Sequence, residues 1–181
     1  MRMASRVSCS SFPVAVALAV LAVSSASAHI SLENSQATIG AAYKAVFAVP
    51  HGCAGSATIK IRVQIPEGVI AVKPMPKAGW SVDVIKGRYS TEYDYHGGKL
   101  SEGVKEVAWS GGRLPDDNYD EFVISTFLAG GLKPSTMLYF PVVQECEQGV
   151  SRWIDIPAEG SAAHGHDGKS PAPGVKLMPK P

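Results

Sequence analysis

A chain of 181 residues has the normal length of one domain, and 45% hydrophobic with 18% charged residues provides enough apolar material for a core. This composition excludes wholesale disorder. The formal net charge of +1 gives no sign of nucleic-acid binding.

The chain begins with the features of a signal peptide. Two arginines lie within the first six residues, residues 12–23 are almost wholly apolar, and residues 26–28 (Ala-Ser-Ala) have the small-x-small pattern that signal peptidase accepts. An apolar run of about 12 residues is too short to span a bilayer comfortably, which disfavours an uncleaved anchor. We therefore predict a signal peptide over residues 1–28, export to the periplasm or the cell exterior, and His29 as the first mature residue.

The cysteine content agrees with export. Cys9 lies in the leader, which leaves Cys53 and Cys146 as one possible pair in an oxidising compartment. A disulfide between them would close a loop of about 90 residues and contribute about 4–5 kcal/mol in the chain-entropy view. We expect this disulfide; the alternatives are two thiolate ligands of a copper ion or two free thiols.

The pattern of the mature chain predicts β-strands. The clearest strand covers residues 57–65, where every second residue is apolar, so that one face is buried and the other meets water. Gly- and Pro-rich turn signals, including Gly111-Gly112, separate the candidates, and no helical periodicity is sustained. Many short strands at this spacing indicate an all-β sandwich. The further predicted strands are residues 43–49, 69–73, 80–85, 104–109, 122–128, 137–143 and 150–156.

The composition changes near the end of the chain. We predict one β-sandwich domain over residues 29–157, followed by a flexible tail over residues 158–181 that is rich in Gly, Ser, Ala, His and Pro. His164 and His166 form a His-Gly-His unit in this tail, and weak copper binding there is an open alternative. Ordering a mobile tail would oppose such binding.

His29 draws attention because of its position. A free N-terminal histidine offers two nitrogens at once, the α-amine and the imidazole Nδ1, which close a chelate ring on one metal ion. Nitrogen donors of this kind suit Cu(II). An internal histidine lacks this possibility because its backbone nitrogen is an amide.

Short motifs follow in order along nearly the whole mature chain, each weak alone and specific together. They are Ala-His-Ile (residues 28–30), Val-Pro-His-Gly-Cys (49–53), Ile-Pro-Glu-Gly-Val (65–69), Gly-Trp (79–80), Val-Ala-Trp-Ser-Gly-Gly-Arg-Leu-Pro (107–115), Asp-Glu-Phe (120–122), Tyr-Phe-Pro-Val-Val-Gln-Glu-Cys (139–146), Trp153 and Pro-Ala-Pro (171–173). Together they resemble the YcnI-like family of secreted copper-binding proteins. The resemblance implies an immunoglobulin-like or cupredoxin-like β-sandwich, a disulfide matching Cys53 and Cys146, and a Cu(II) site that uses the amine and ring of His29.

The resemblance also implies a carboxylate at the copper site. Glu121 is the best match, since a carboxylate oxygen is a reasonable further ligand and its charge offsets the dication. Its neighbour Asp120 is a competing assignment, because the spacing alone does not separate the two. Without the resemblance, either acid would be interpreted as a solvated residue at a strand end.

A tryptophan is implied at the same site, and Trp153 matches it. Alternation places Trp153 on one side of its strand with Ser151 and Asp155, so we expect the indole on an otherwise polar face. There it would shield the copper ion or present its ring face to the cation. The alternative is packing into the core from the sandwich edge. Trp80 and Trp109 lie in apolar strand contexts and are expected in the core.

No enzyme motif stands out, since the sequence contains no Gly-x-Ser-x-Gly, P-loop or His-Glu-x-x-His. We predict a non-enzymatic extracytoplasmic Cu(II)-binding protein for copper acquisition, delivery or sequestration. Its expected partners are the copper ion and, from the family context, a membrane copper importer or another periplasmic copper chaperone, but no nucleic acid. One alternative is a copper-dependent oxidase or oxygenase, in which His51 or His96, otherwise expected to be loop residues, would be a second histidine. The other is an extracellular interaction domain without metal.

Overall fold

The structure, a computed structural model, describes residues 29–157 and 170–180. The regular elements of these residues are all strands, which confirms the predicted all-β class. In the part of the chain that the structure describes, no helix is long and apolar enough to cross a membrane. The strands are β1 (Ser31–Leu32), β2 (Gln36–Thr38), β3 (Ala42–Val49), β4 (Thr58–Gln64), β5 (Val69–Pro74), β6 (Ser81–Tyr95), β7 (Gly98–Leu114), β8 (Asp120–Leu128), β9 (Met137–Tyr139), β10 (Val142–Cys146), β11 (Val150–Trp153) and β12 (Gly174–Met178).

The strands form two larger sheets and a small one. The larger sheets have the strand orders β1-β3-β8-β5 and β11-β10-β4-β7-β6, and the small sheet has the order β2-β12-β9. Neighbouring strands pair antiparallel, except for the parallel pair of β12 and β2. The core contains side chains of β3 and β8 from one larger sheet together with those of β4, β7 and β10 from the other. This architecture confirms the predicted β-sandwich.

Aromatic rings fill the centre of the core. Phe122 is fully buried and meets Trp109 and Trp80 edge to face, with centroid distances of 5.4 and 5.1 Å. Trp109 is fully buried as predicted, whereas Trp80 is half-buried and lies over Gly112, where a Cβ would collide with the indole. The predicted turn at Gly111-Gly112 is wrong, because both glycines lie inside β7, where the missing side chain of Gly112 makes room for this ring.

The clearest predicted strand differs in one detail from its simple alternation. Ile59 is 36% exposed, whereas Thr58 is fully buried. The cause is a register shift in the β4–β7 pairing between Thr58 and Lys60, a β-bulge that rotates the local side chains. The bulge carries the Thr58 hydroxyl into the interior.

β6 and β7 form one hairpin that is longer than the predicted strands 80–85 and 104–109. Its turn contains His96 and Gly97 in left-handed conformations, with φ angles of 48° and 81°. The added residues are largely polar or exposed, so they lack the alternation that marks a half-buried strand. His96 is a turn residue, as expected.

The prediction of a flexible tail over residues 158–181 is wrong for its last part. β12 pairs with β2 and β9, and its Val175 and Leu177 are buried in the core. The alternating Gly-Val-Lys-Leu-Met sequence is a short strand whose signal was hidden by the flanking prolines. The domain therefore includes residues beyond the predicted boundary at 157. His164 and His166 lie outside the described residues.

Candidate metal centre

His29 lies two residues before Ser31, the first residue of β1, which is the edge strand of the first larger sheet. Ile30 and Leu32 are buried and Ser31 is exposed, so the side chains alternate between the core and the outside. His29 is half-buried and belongs, by this alternation, to the outward side with Ser31. In the precursor, the backbone nitrogen of His29 is part of the peptide bond to Ala28.

The strand register connects this region with Glu121. Ser31 pairs with Ala48, and Ala48 pairs with Glu121 on β8. At the usual strand spacing, the Cα atoms of Ser31 and Glu121 are about 10 Å apart. The side chains of directly paired residues share a face, so Glu121 lies on the same side as Ser31. Asp120 instead pairs with the fully buried Val49, on the opposite side of the sheet.

The two acids also differ in their partners. Asp120 Oδ1 accepts hydrogen bonds from Lys77 Nζ at 2.6 Å and from the backbone nitrogen of Glu121 at 2.8 Å. The ammonium of Lys77 further donates to the carbonyl oxygen of Glu121 at 3.1 Å and lies 5.0 Å from the centroid of the Phe122 ring. The carboxylate of Asp120 is therefore neutralised within the fold.

The Glu121 carboxylate has a neutral partner. Its Oε1 accepts a hydrogen bond from the hydroxyl of Tyr119 at 2.7 Å. This hydrogen bond, with burial and nearby acids as smaller causes, raises the pKa of Tyr119 to about 12, so the phenol remains a donor at physiological pH. The carboxylate of Glu121 is thus paired with a neutral phenol, whereas that of Asp120 is paired with an ammonium group.

Trp153 lies against His29, but on a different face from the one predicted. The indole is only 8% exposed and belongs to the core, whereas Val150 and Ile154 of the same segment are 50% and 42% exposed. Alternation separated the two faces correctly, but the face with Trp153 is the covered one and the face with Val150 and Ile154 is the outer one. The rings of Trp153 and His29 meet edge to face, with centroids 5.2 Å apart and planes at 76°.

Gln144 organises the region behind this tryptophan and was missed by sequence reasoning. Its side-chain amide accepts the indole N–H of Trp153 at 3.1 Å and donates to the carbonyl of His51 at 2.7 Å and to Thr58 Oγ1 at 2.8 Å. We call these residues the Gln144 cluster. The available signal was the position of Gln144 between Val142 and Cys146 on the buried side of β10.

Cys53 and Cys146 form the predicted disulfide, with an S–S distance of 2.08 Å and a Cα–Cα distance of 6.0 Å. Each half-cystine lies two residues from a member of the Gln144 cluster, His51 or Gln144. The pairing excludes the alternative of two thiolate ligands. A structural disulfide is typical of proteins outside the cytoplasm.

The remaining histidines differ in location. His51 follows β3 and places its Nδ1 2.6 Å from the carbonyl oxygen of Gly52. His96 lies at the tip of the β6–β7 hairpin, where its ring contacts Tyr95 and Phe127. Within residues 29–157 and 170–180, no three His, Cys, Asp or Glu side chains are grouped as a metal site. A metal site at His29 would therefore need a further donor in addition to such side chains.

Comparisons with known proteins give the family and the fold. The family model for a domain of unknown function, DUF1775, matches residues 29–177. A solved structure of an uncharacterised protein from Nocardia farcinica, described as having an immunoglobulin-like fold, is similar with a TM-score of 0.58 and 24% identity, over 83% of this chain and 98% of that one. This likeness confirms the expected immunoglobulin-like fold. No curated protein matches the chain significantly.

Proposed function

The chain belongs to the DUF1775 family, which is the family of the YcnI-like proteins, and we propose that its mature form binds Cu(II) outside the cytoplasm through His29. The observation that carries this proposal is the position of His29: it lies two residues before the first strand, its ring packs against Trp153, and the strand register places the nearby Ser31 on the same face as Glu121. Signal-peptide cleavage after Ala28 would add the α-amine as a donor.

The donor chemistry supports copper as the cargo. The amine and Nδ1 of His29 supply two nitrogens in one chelate ring, and Glu121 supplies an oxygen and a negative charge, a mixed set that suits Cu(II). His29 lies two residues before Ser31, and the Cα atoms of Ser31 and Glu121 are about 10 Å apart across β3, so both proposed ligands belong to the same part of the sheet. Trp153 would cover the ion on its core side.

The placement favours a metal site that is open to ligand exchange over one that is enclosed. His29 is half-buried at the end of the sandwich and Glu121 lies on an outer face, so an ion held there is accessible from outside. Accessible metal sites exchange their ligands with partners more readily than enclosed ones. We propose a role in acquisition, delivery or sequestration, with a membrane copper importer or another copper chaperone as the exchange partner.

A one-residue extension tests the proposal most directly. Mature protein that begins at His29 is compared with protein carrying an additional alanine before His29, by Cu(II) titration against a competitor and by electron paramagnetic resonance. The extension keeps the imidazole and turns the α-amine into an amide, so we expect at least about tenfold weaker binding and a changed spectrum. Equal affinity and equal spectra would overturn the proposal.

The same titration decides between the two acids and tests the tryptophan. Glu121→Gln should change the Cu(II) spectrum, whereas Asp120→Asn should retain it, because Asp120 is already bound to Lys77. The reverse pattern would give the ligand role to Asp120.

Trp153→Phe should perturb the spectrum while circular dichroism stays β-rich. Oxygen or peroxide turnover with a reductant would favour the oxidase alternative, and absence of binding in every form would favour the interaction domain.

A further inference from the structure

A neutral amide in the interior needs hydrogen-bond partners, because burying a polar group without them destabilises the fold. The Gln144 side chain is fully buried between β4 and β11. Its main chain is paired on both sides, with Ile61 and with Ser151, so its Cα position is fixed by the sheet.

The partners of Gln144 determine the orientation of the amide. Both Nε2 hydrogens are directed at acceptors, the His51 carbonyl at 2.7 Å and Thr58 Oγ1 at 2.8 Å. A flipped amide would point its NH₂ group at the indole N–H of Trp153, two donors facing each other. The carbonyl oxygen Oε1 is therefore the atom that meets Trp153.

This hydrogen bond restricts the orientation of the Trp153 indole. The N–H of Trp153 is directed at Gln144, and the ring then meets the His29 imidazole edge to face. The same amide donates a hydrogen bond to the carbonyl of His51, which follows β3. β3 is the strand that pairs with β1. One side chain thus fixes Trp153 and the chain beside the start of β1.

We infer that Gln144 is the positioning residue of the His29 site: it holds the Trp153 indole in the orientation that the bound ion requires, without touching the ion. The inference rests on the proposed function. It predicts that loss of the Gln144 amide reorients Trp153 and weakens copper binding, although every proposed ligand is retained.

The test uses Gln144→Met in the mature protein, because methionine has a similar unbranched shape and lacks the amide. The matched control is Tyr43→Phe, which removes a partly buried hydrogen bond from the Tyr43 hydroxyl to the Asn34 carbonyl, at the end of β3 that lies away from His51. Both variants should lose thermal stability. We expect only Gln144→Met to shift the Trp153 indole resonance in ¹⁵N spectra, weaken Cu(II) binding by about tenfold and change the paramagnetic resonance spectrum.

The outcomes separate the inference from the proposed function. Wild-type protein that binds no Cu(II) overturns both. Wild-type binding with the same affinity and spectrum in folded Gln144→Met overturns the positioning role alone. If Gln144→Met does not fold, the wild-type protein provides the test. Slow exchange of the Trp153 indole hydrogen supports the inference when Cu(II) also broadens the indole resonance and that of the Gln144 amide selectively. Fast exchange overturns it, and the Trp109 indole, bound to the Met75 carbonyl, is the internal reference.

Discussion

A cluster of hydrogen bonds lies at each end of β4, and in each cluster one side chain, Gln144 or Glu67, makes several of the bonds. Thr58, at the start of β4, belongs to the Gln144 cluster, whose centre is neutral and fully buried. Glu67 follows the end of β4, carries a charge, and its side chain is 37% exposed. A neutral buried centre fixes geometry independently of pH and salt, whereas a charged, partly solvated centre is sensitive to both.

The Glu67 cluster joins the β6–β7 hairpin to the turn between β4 and β5. The carboxylate of Glu67 accepts hydrogen bonds from the Ser90 backbone nitrogen at 3.1 Å, the Tyr93 hydroxyl at 2.8 Å and Lys105 Nζ at 2.8 Å. Burial raises the pKa of Glu67, but the hydrogen bonds from Lys105, Tyr93 and Ser90 outweigh it, so the pKa lies below its ordinary value. The candidate metal centre is thus built on the pH-independent cluster and the hairpin on the pH-dependent one.

The largest expected effect concerns the disulfide beside the Gln144 cluster. Replacing Cys53 and Cys146 together by alanine should lower the free energy of unfolding by about 4–5 kcal/mol, because the link spans 93 residues and restricts the unfolded chain. Denaturant unfolding measures this loss. Hydrogen exchange of the Ser90 amide, in the Glu67 cluster, should stay as slow as in the wild type under native conditions. A loss below about 1 kcal/mol would contradict the prediction.

A matched pair of single hydrogen-bond deletions compares the clusters directly. Thr58→Val removes one acceptor of the buried Gln144 amide and should cost about 2 kcal/mol, because an amide hydrogen is left unpaired in the core. Tyr93→Phe removes one donor of the partly exposed Glu67 carboxylate, which water replaces, and should cost about 0.5–1 kcal/mol. Unfolding curves in urea give both values. A larger loss for Tyr93→Phe would reverse the proposed ranking of the clusters.

An effect of similar size to that of Tyr93→Phe is expected from the pH dependence of the Glu67 cluster. The depressed pKa of Glu67 means that its contribution to stability is fully present above the unfolded pKa of about 4.3 and is lost as the pH falls through the lower folded value. Glu67→Gln should therefore be less stable than the wild type by about 1 kcal/mol at pH 7, after allowance for solvent screening, and equal to it in strong acid.

The control for this pH dependence comes from the other cluster. The hydrogen bonds of the Gln144 cluster use no titrating group, since His51 accepts its bond from Gln144 through the backbone carbonyl. The stability difference between the wild type and Thr58→Val should therefore be the same at pH 3 and pH 7. A difference for Glu67→Gln that persists unchanged at low pH would show that the carboxylate charge is not what holds the hairpin.

Periodicity and composition predicted much of the architecture. Alternation identified β4, and apolar segments between turn signals located β3, β5 and β8. The count of exported cysteines predicted the Cys53–Cys146 disulfide. Alternation also grouped Trp153 apart from Val150 and Ile154, but it assigned the buried face to the wrong group.

The amino-acid pattern was sufficient for the all-β class, the disulfide and the candidate His29, because it specifies which residues share a face and which donors a chain offers, whereas Glu121 and Trp153 became candidates through the family resemblance. The three-dimensional arrangement was needed to learn which face of β11 is covered, that Lys77 neutralises Asp120, and that Gln144 binds the indole of Trp153. These facts depend on strands that are distant along the chain and adjacent in the sheets. A period of two residues carries no information about such neighbours.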